Sequence, residues 1–512
     1  MEHRFSKSMA AAVYAAAAFA SFAEEPASPP KQGEGTASAQ PPCPALNIPF
    51  ATENAVVKEE IERGMADMLL GWEESAQLHF ARAIQAGGST ENMSLMAYCG
   101  MMLMSATAGE KDANRMYLEE YLETVPTTPL ELFYLNTFLR LAGGDIKGAA
   151  EDFAARAERF KRDKFSALWA CMLFHCVEEG YDITGHPNPY QEKALKIASA
   201  LYAEYPDDAL VCYVRAYIEE AAPQLSTEAL EAACKAVTAL PQHPMPALLY
   251  GHLLYRSERV EEALPYLHTA MQLAENAEIK PEFARLKAIA ALYESTALWS
   301  ARKTKEALAM RRSMNAAPPD RALKDSPIGV LYRWETTTLP LRILVFKATA
   351  PDIADIKAAA NAATPNPAWE KDDPVLLVRD CLRAALYARA RMKQNDRSSA
   401  EKSLALARES FQKFEATRDN VFKRGNQFVT PWYRAHEACR IAILAAGGDV
   451  FPDPDAFWKK VAESATRPAN MLMPPPLPKQ FGPEPTPQPA PKAKPKKPTS
   501  PSKKKKSSRK RK

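Results

Sequence analysis

The sequence predicts an all-α fold, an α-solenoid of stacked helical hairpins, on three observations. Seven alanines, Ala76, Ala113, Ala149, Ala194, Ala229, Ala263 and Ala307, recur at intervals of 37, 36, 45, 35, 34 and 44 residues, and most are followed four residues later by an apolar side chain. Self-similarity at that period is the mark of repeated helix pairs. The 512 residues are 46% hydrophobic and 25% charged with only 19 glycines, which suits helices better than sheets. Twenty of the 42 prolines crowd into residues 24–49 and 465–512, so the ends read as a disordered linker and a disordered tail around a folded body.

Taken in chain order, residues 1–23 place Arg4 and Lys7 before an apolar run from Met9 and finish on Ser21, Phe22 and Ala23, the pattern of a cleaved secretory signal. An ordinary alanine-rich helix is the alternative. The run is too short to favour a membrane span, and no later stretch reaches about 18 uninterrupted apolar residues. An exported protein of the periplasm or cell envelope is therefore expected, not a transmembrane one. Residues 24–49 form a Pro-rich linker. Export would put the eight cysteines in an oxidising compartment, yet seven lie inside helical patterns without a C-x-x-C pair and read as small buried apolar groups. Cys212 and Cys234, on consecutive helices, could be bridged.

The hairpins occupy residues 50–319. Gly64 and Gly71 flank a first helix and its turn, and Ala76, Phe80 and Ala83 share one face of the next helix. A small alanine lets two helices approach, and the bulky residue one turn later fills the space between them. The segment ALLYGHLLYRSERVEEALPYLHTAM repeats that spacing through Gly251, Ala263, Leu267 and Ala270. Ala229, Ala233 and Ala236 are closed by Pro241, and Ala194, Ala198 and Leu201 by Pro206, each proline 12 residues after the first alanine. Longer intervals arise at a polar loop over residues 180–192 and at NAEIKPE after the Ala263 hairpin. Residues 320–465 lose the strict repeat and read as divergent helical hairpins ending in a cap near residues 430–446 and 454–465, because a terminal repeat must cover its neighbour's apolar face.

In this Gly, Ala, aromatic, Ala, Pro progression the chain resembles tetratricopeptide-repeat proteins, well over residues 56–319 and more weakly over 381–416 through Ala400, Leu404 and Ala407. Within that class it is similar to a group of exported bacterial repeat proteins, in GMADMLLGWEESAQLHFARAI and in His243-Pro244-Met245-Pro246. The resemblance implies a concave superhelical face carrying Tyr98, Met102, Tyr134, Phe138, Leu141, Val214, Ile218, His252, Tyr255 and Arg256. Such a groove would take an apolar peptide or helix, with His252, Tyr255 and Arg256 able to hold a carboxylate. If the superhelix closes on itself, the same residues pack together instead. Tyr213 and Tyr217 stand where that group tends to carry histidines, so no metal or catalytic role transfers.

No nucleophile elbow, phosphate-binding glycine loop, HExxH pair or paired zinc motif occurs, and no catalytic residue, metal site or cofactor is expected. Cys171 and His175 lie four apart, as a metal pair could, but Trp169, Met172, Leu173 and Phe174 surround them with core-type residues. Residues 466–512 make a disordered Pro/Lys-rich tail. From Lys492 onward 12 of 21 residues are Lys or Arg and none is acidic, ending in Lys503, Lys504, Lys505, Lys506, Arg509, Lys510, Arg511 and Lys512. The remaining chain holds 54 basic and 62 acidic residues, so charge is segregated. Nucleic acid, an anionic membrane and the protein's own acidic body are the electrostatic targets, and specific nucleic-acid recognition is not expected. The reading is a noncatalytic exported scaffold that binds a protein or peptide partner in its groove while the tail tethers it to an anionic surface. A metal-dependent enzyme on a helical-repeat scaffold, and nonspecific nucleic-acid binding by the tail, are the alternatives.

Overall fold

The computed structural model describes residues 48–105, 108–177, 186–220, 224–275, 285–301, 337–345, 350–362, 374–423 and 429–447, with a few isolated positions besides. The leader, most of the Pro-rich linker, the cap expected at 454–465 and the basic tail lie outside the described residues. Among those described there are eighteen named helices and no strand. The first ten are α1 (Ala55–Leu70), α2 (Glu73–Gly87), α3 (Leu95–Met104), α4 (Ala108–Tyr121), α5 (Pro129–Ala142), α6 (Ile146–Arg159), α7 (Lys164–Val177), α8 (Pro189–Glu204), α9 (Ala209–Ile218) and α10 (Thr227–Ala239). Then come α11 (Pro244–Arg256), α12 (Val260–Leu273), α13 (Arg285–Ser300), α14 (Ile353–Ala362), α15 (Pro374–Lys393), α16 (Arg397–Glu415), α17 (Arg418–Lys423) and α18 (Val429–Gly447). From α1 to α12 each odd helix packs against the even helix that follows it, so the chain is an all-α array of helix pairs.

Local chemistry sets the ends of these helices. Asn54 accepts from the amides of Val56 and Val57 to start α1, and Gly71 at φ 82° ends it in the left-handed conformation that favours glycine. Thr128, Pro129 and Glu131 open α5 as a capping box. The buried Glu131 carboxylate also accepts from Ser94 Oγ at 2.7 Å and Ala51 N at 3.3 Å, joining three chain segments.

The two helices of a pair are buried differently. In α3, α7, α9 and α11 nearly every side chain is enclosed: eight of ten residues in α3, twelve of fourteen in α7 and nine of ten in α9. Such all-round apolar helices form an inner layer. The outer helices bury one stripe, at relative positions 0, 4 and 7: Ala76, Phe80 and Ala83 in α2, Ala194, Ala198 and Leu201 in α8, Ala229, Ala233 and Ala236 in α10, and Ala263, Leu267 and Ala270 in α12. Six of the seven periodic alanines are fully enclosed. Ala113 is the exception and is exposed. In α4 the stripe is Asn114, Leu118 and Tyr121, one residue later than the alanine period implies, with Asn114 Nδ2 donating to Ser105 Oγ at 3.1 Å.

The array also curls tightly. Tyr213 OH donates to Leu70 O at 2.7 Å across 143 residues of sequence, and His243 Nε2 lies 3.1 Å from Asp67 Oδ1 across 176. Helix α1 touches both α7 and α9, so the first hairpin meets the fourth, fifth and sixth. The inner layer is thereby a core. A second apolar cluster, spanning Leu341 to Ala446, is built by α15, α16 and α18, with Ala400 and Ala407 buried and Phe414 stacked on Trp432 at 5.0 Å. None of the seven described cysteines is in a disulfide. Cys212 Sγ donates to Pro206 O at 3.3 Å, so the bridge to Cys234 left open by the sequence is not formed. No described helix is long and apolar enough to cross a membrane.

Phe80 is held by two glycines. A Cβ at Gly64 would lie 2.6 Å from its ring, and one at Gly100 would lie 2.5 Å away. Alanine in place of a helical glycine ordinarily stabilises by about 0.5–1 kcal/mol. Here Gly64→Ala and Gly100→Ala are each expected to destabilise by about 1–3 kcal/mol through overpacking, read from urea unfolding; a gain in stability would contradict this account of the contact.

Candidate interaction face

The curl relocates most of the residues expected to line a groove. Met102, Tyr134, Phe138, His252 and Tyr255 are each at most 2% exposed. Tyr134 and Phe138 belong to an aromatic cluster with Phe153, Phe165 and Trp169, and Tyr134 OH donates to Asp163 Oδ1 at 2.9 Å. They are core residues, because the inner helix of the next hairpin closes over them through Phe165 and Trp169. Leu141, Val214 and Ile218 are also buried. Arg256, half-buried, donates through Nη2 to Ala222 O at 2.5 Å. Of the expected set, Tyr98 is half-buried and meets the surface between α3 and α4.

There it meets residues the sequence reading passed over. Tyr98 lies 5.8 Å from Tyr117 and 6.3 Å from Tyr121, ring centre to ring centre. Tyr117 is 48% exposed and Met116 68%, the latter the most exposed large apolar side chain described. The cause is the register of α4: once Leu118 points inward, Met116 stands on the opposite side of the helix and Tyr117 on its flank. Asp112, Glu119 and Glu120 fall three or four residues from Met116, hence on its face, and Glu110 and Glu123 lie at the two ends; all five are exposed. Lys111 and Arg115 are the only bases in this stretch, and Lys111 Nζ donates to the carbonyl of Ala142. The result is an aromatic and methionine surface with an anionic rim, which can stack on cations and pair with them. Burial pushes the Tyr98 hydroxyl above its ordinary range, with the neighbouring tyrosines adding to the effect. The signal for this face was the pair Met116 and Tyr117 in an otherwise charged helix, legible only once the stripe is placed on Asn114.

A separate polar centre sits where α7, α9 and α11 converge. His252 Nδ1 is 2.9 Å from Glu220 Oε1, and the His252 ring lies 4.7 Å from that of Tyr293. His175 Nδ1 lies 2.8 Å from Gln191 Oε1, and Gln191 Nε2 donates to Ile218 O at 2.7 Å. Burial would raise the Glu220 carboxyl, but the hydrogen bond with His252 and the fields of His252, His175 and Arg256 together hold it below the ordinary carboxylate range. Burial lowers His175, against the opposing pull of Gln191 and Glu220. A carboxylate orienting a histidine is the geometry of a proton carrier, and His252 Nε2 is enclosed without a hydrogen-bond partner among the described residues. No described nucleophile stands beside it in an open site. Cys171 is enclosed in the same layer and burial raises its thiol, and among the described residues no three His, Cys, Asp or Glu side chains are placed to share a metal ion. The tail residues Lys503 to Lys506 and Arg509 to Lys512 lie outside the described residues. Compared with known proteins, the chain matches no family profile, no curated protein and no solved structure.

The polar centre makes stability acid-sensitive. Glu220 and His175 both have folded values below their unfolded ones, so each binds fewer protons when folded, and its contribution is lost as pH falls. Loss should begin below about pH 6.5 through His175 and continue below 4.5 through Glu220. Glu220→Gln is expected to lower stability at neutral pH by about 1–3 kcal/mol and to flatten the more acidic limb. Urea midpoints across a pH series test this; an unchanged acidic slope in the variant would remove Glu220 from the account.

Proposed function

We propose that the protein is a noncatalytic scaffold of tetratricopeptide-type repeats, which binds a protein or peptide partner through the tyrosine face of α3 and α4 and is tethered to an anionic surface by its cationic C-terminal segment. The observation that carries this reading is that face: Met116 and Tyr117 exposed beside Tyr98 and Tyr121 inside a ring of acids. Tyrosines and methionines exposed together on a rigid helix pair are what interfaces concentrate at their centres. The partner surface is thus assigned to the outer side of the second hairpin and not to the inner face, which is filled. The helix pairs, the Gly, Ala, aromatic register and the glycine contacts of Phe80 support the repeat assignment. The leader pattern of residues 1–23 supports export to the periplasm or envelope, and the 12 bases in the last 21 residues support the tether.

Affinity capture from an envelope fraction with the wild-type chain and with Met116→Ser/Tyr117→Ser tests the face. Loss of an interface centre is worth about 2 kcal/mol or more, near 30-fold, so bound partner should fall to background; undiminished capture would overturn the assignment. For the tether, sedimentation with anionic liposomes should fall with added salt and disappear when residues 492–512 are removed. Equal sedimentation by both chains would rule the tether out.

A further inference from the structure

The chain carries a segment whose chemistry complements the tyrosine face. We propose that residues 492–512 dock in cis on the acid-rimmed face formed by Tyr98, Met116, Tyr117 and Tyr121, so that the cationic segment occupies the partner site until a partner or an anionic surface takes its place. This rests on the assignment of that face as the partner site.

Three observations lead there. First, the face presents apolar and aromatic surface to water on a helix whose other exposed side chains are mostly charged; exposed patches of this kind mark a binding surface. Second, the rim is net acidic. Residues 108–124 hold five exposed acids, Glu110, Asp112, Glu119, Glu120 and Glu123, against two bases, of which Arg115 pairs with Glu119 at 2.8 Å and Lys111 donates to the Ala142 carbonyl. Lys and Arg side chains suit both parts of such a surface, laying their cationic heads over tyrosine rings and pairing with carboxylates. Third, the segment with that chemistry is on the same chain. Residues 492–512 carry 12 bases and no acid, while the rest of the molecule has an excess of eight acids. The 44 residues between Gly447 and Lys492 could span about 150 Å if extended, more than the width of a helical body of this size. Attachment raises the local concentration of such a segment to about the millimolar range, so even a weak contact is populated.

The proposal separates from a diffuse attraction to the acidic body by its dependence on the rings. A segment drawn only by net charge would visit Glu158, Glu192 and Glu231, exposed acids on other outer helices, as often as the rim. Docking on the tyrosine face makes the contacts local and sensitive to Tyr117. The two functions of the segment also become exclusive: bases engaged on the rim are not engaged on a lipid or nucleic-acid phosphate.

The test is zero-length carbodiimide cross-linking of the purified full chain at high dilution, with no partner or anionic surface present, read by peptide mass spectrometry. Lys503 to Lys506, Lys510 and Lys512 should join within one chain to the five rim acids, and the yield should fall several-fold in Tyr117→Ser and Met116→Ser, and recover in Tyr117→Phe, which keeps the ring. Phosphatidylglycerol vesicles should suppress the same links. Links spread evenly over exposed acids, links only between chains, or a yield indifferent to Tyr117→Ser would each overturn the proposal. Capture of a partner could fail while these links form, or succeed without them, so failure of the tail contact is distinguishable from failure of the partner site.

Discussion

The architecture depends on one steric fit, a bulky side chain from an outer helix pressed against positions where the inner helices have almost none. Phe80 shows it most clearly: its ring fills the space left by the missing side chains of Gly64 on α1 and Gly100 on α3, so one residue locks three helices. Leu267 against Gly251 repeats the arrangement further along. Because interiors are close-packed, these contacts fix helix separation to within a methyl group. The periodic alanines do the same on the other side of the interface, and six of seven have no exposed surface.

Above the level of that fit lies the curl, which decides which faces of the array are covered. With inner helices seated so closely, the first hairpin reaches the fourth, fifth and sixth, and polar groups are trapped at the meeting points. Tyr213 satisfies the orphan carbonyl at the end of α1, where a helix must find a partner outside itself. Asp67 sits between His243 at 3.1 Å and His79 at 3.7 Å, and Glu220 is surrounded by His252, His175 and Arg256. Buried charges of this kind are costly unless fully partnered. They specify one packing of the inner layer and leave the outer faces as the available surface.

Much of the fold was legible in the sequence because it is written in short-range spacing. The 0, 4, 7 stripe, the glycine twelve residues before its alanine and the closing prolines are local, and they located α1, α2, α8, α10, α11 and α12. Two things were not legible. Ala113 satisfied the period by coincidence, and only the seating of Leu118, with the Asn114 amide bonded to Ser105, shows that the stripe begins one residue later. The pitch of the superhelix depends on contacts 143 and 176 residues apart, and no local pattern encodes these. Tyr134, Phe138 and His252 read equally well as groove or core from spacing alone, and the packing of adjacent hairpins, with Phe165 and Trp169 over the first two and Tyr293 beside the third, decides for core.

An ordinary helical array grows by nearest-neighbour contacts, so a turn can be added or removed at an end with little effect further along. The hydrogen bond from Tyr213 to Leu70 breaks that modularity. During synthesis the opening hairpin would wait about 7 to 30 s, at ordinary elongation rates, for the residue that covers its end. Until then the end of that hairpin lacks its final cover, so this half of the molecule is completed by a late closure and not by stepwise addition of units.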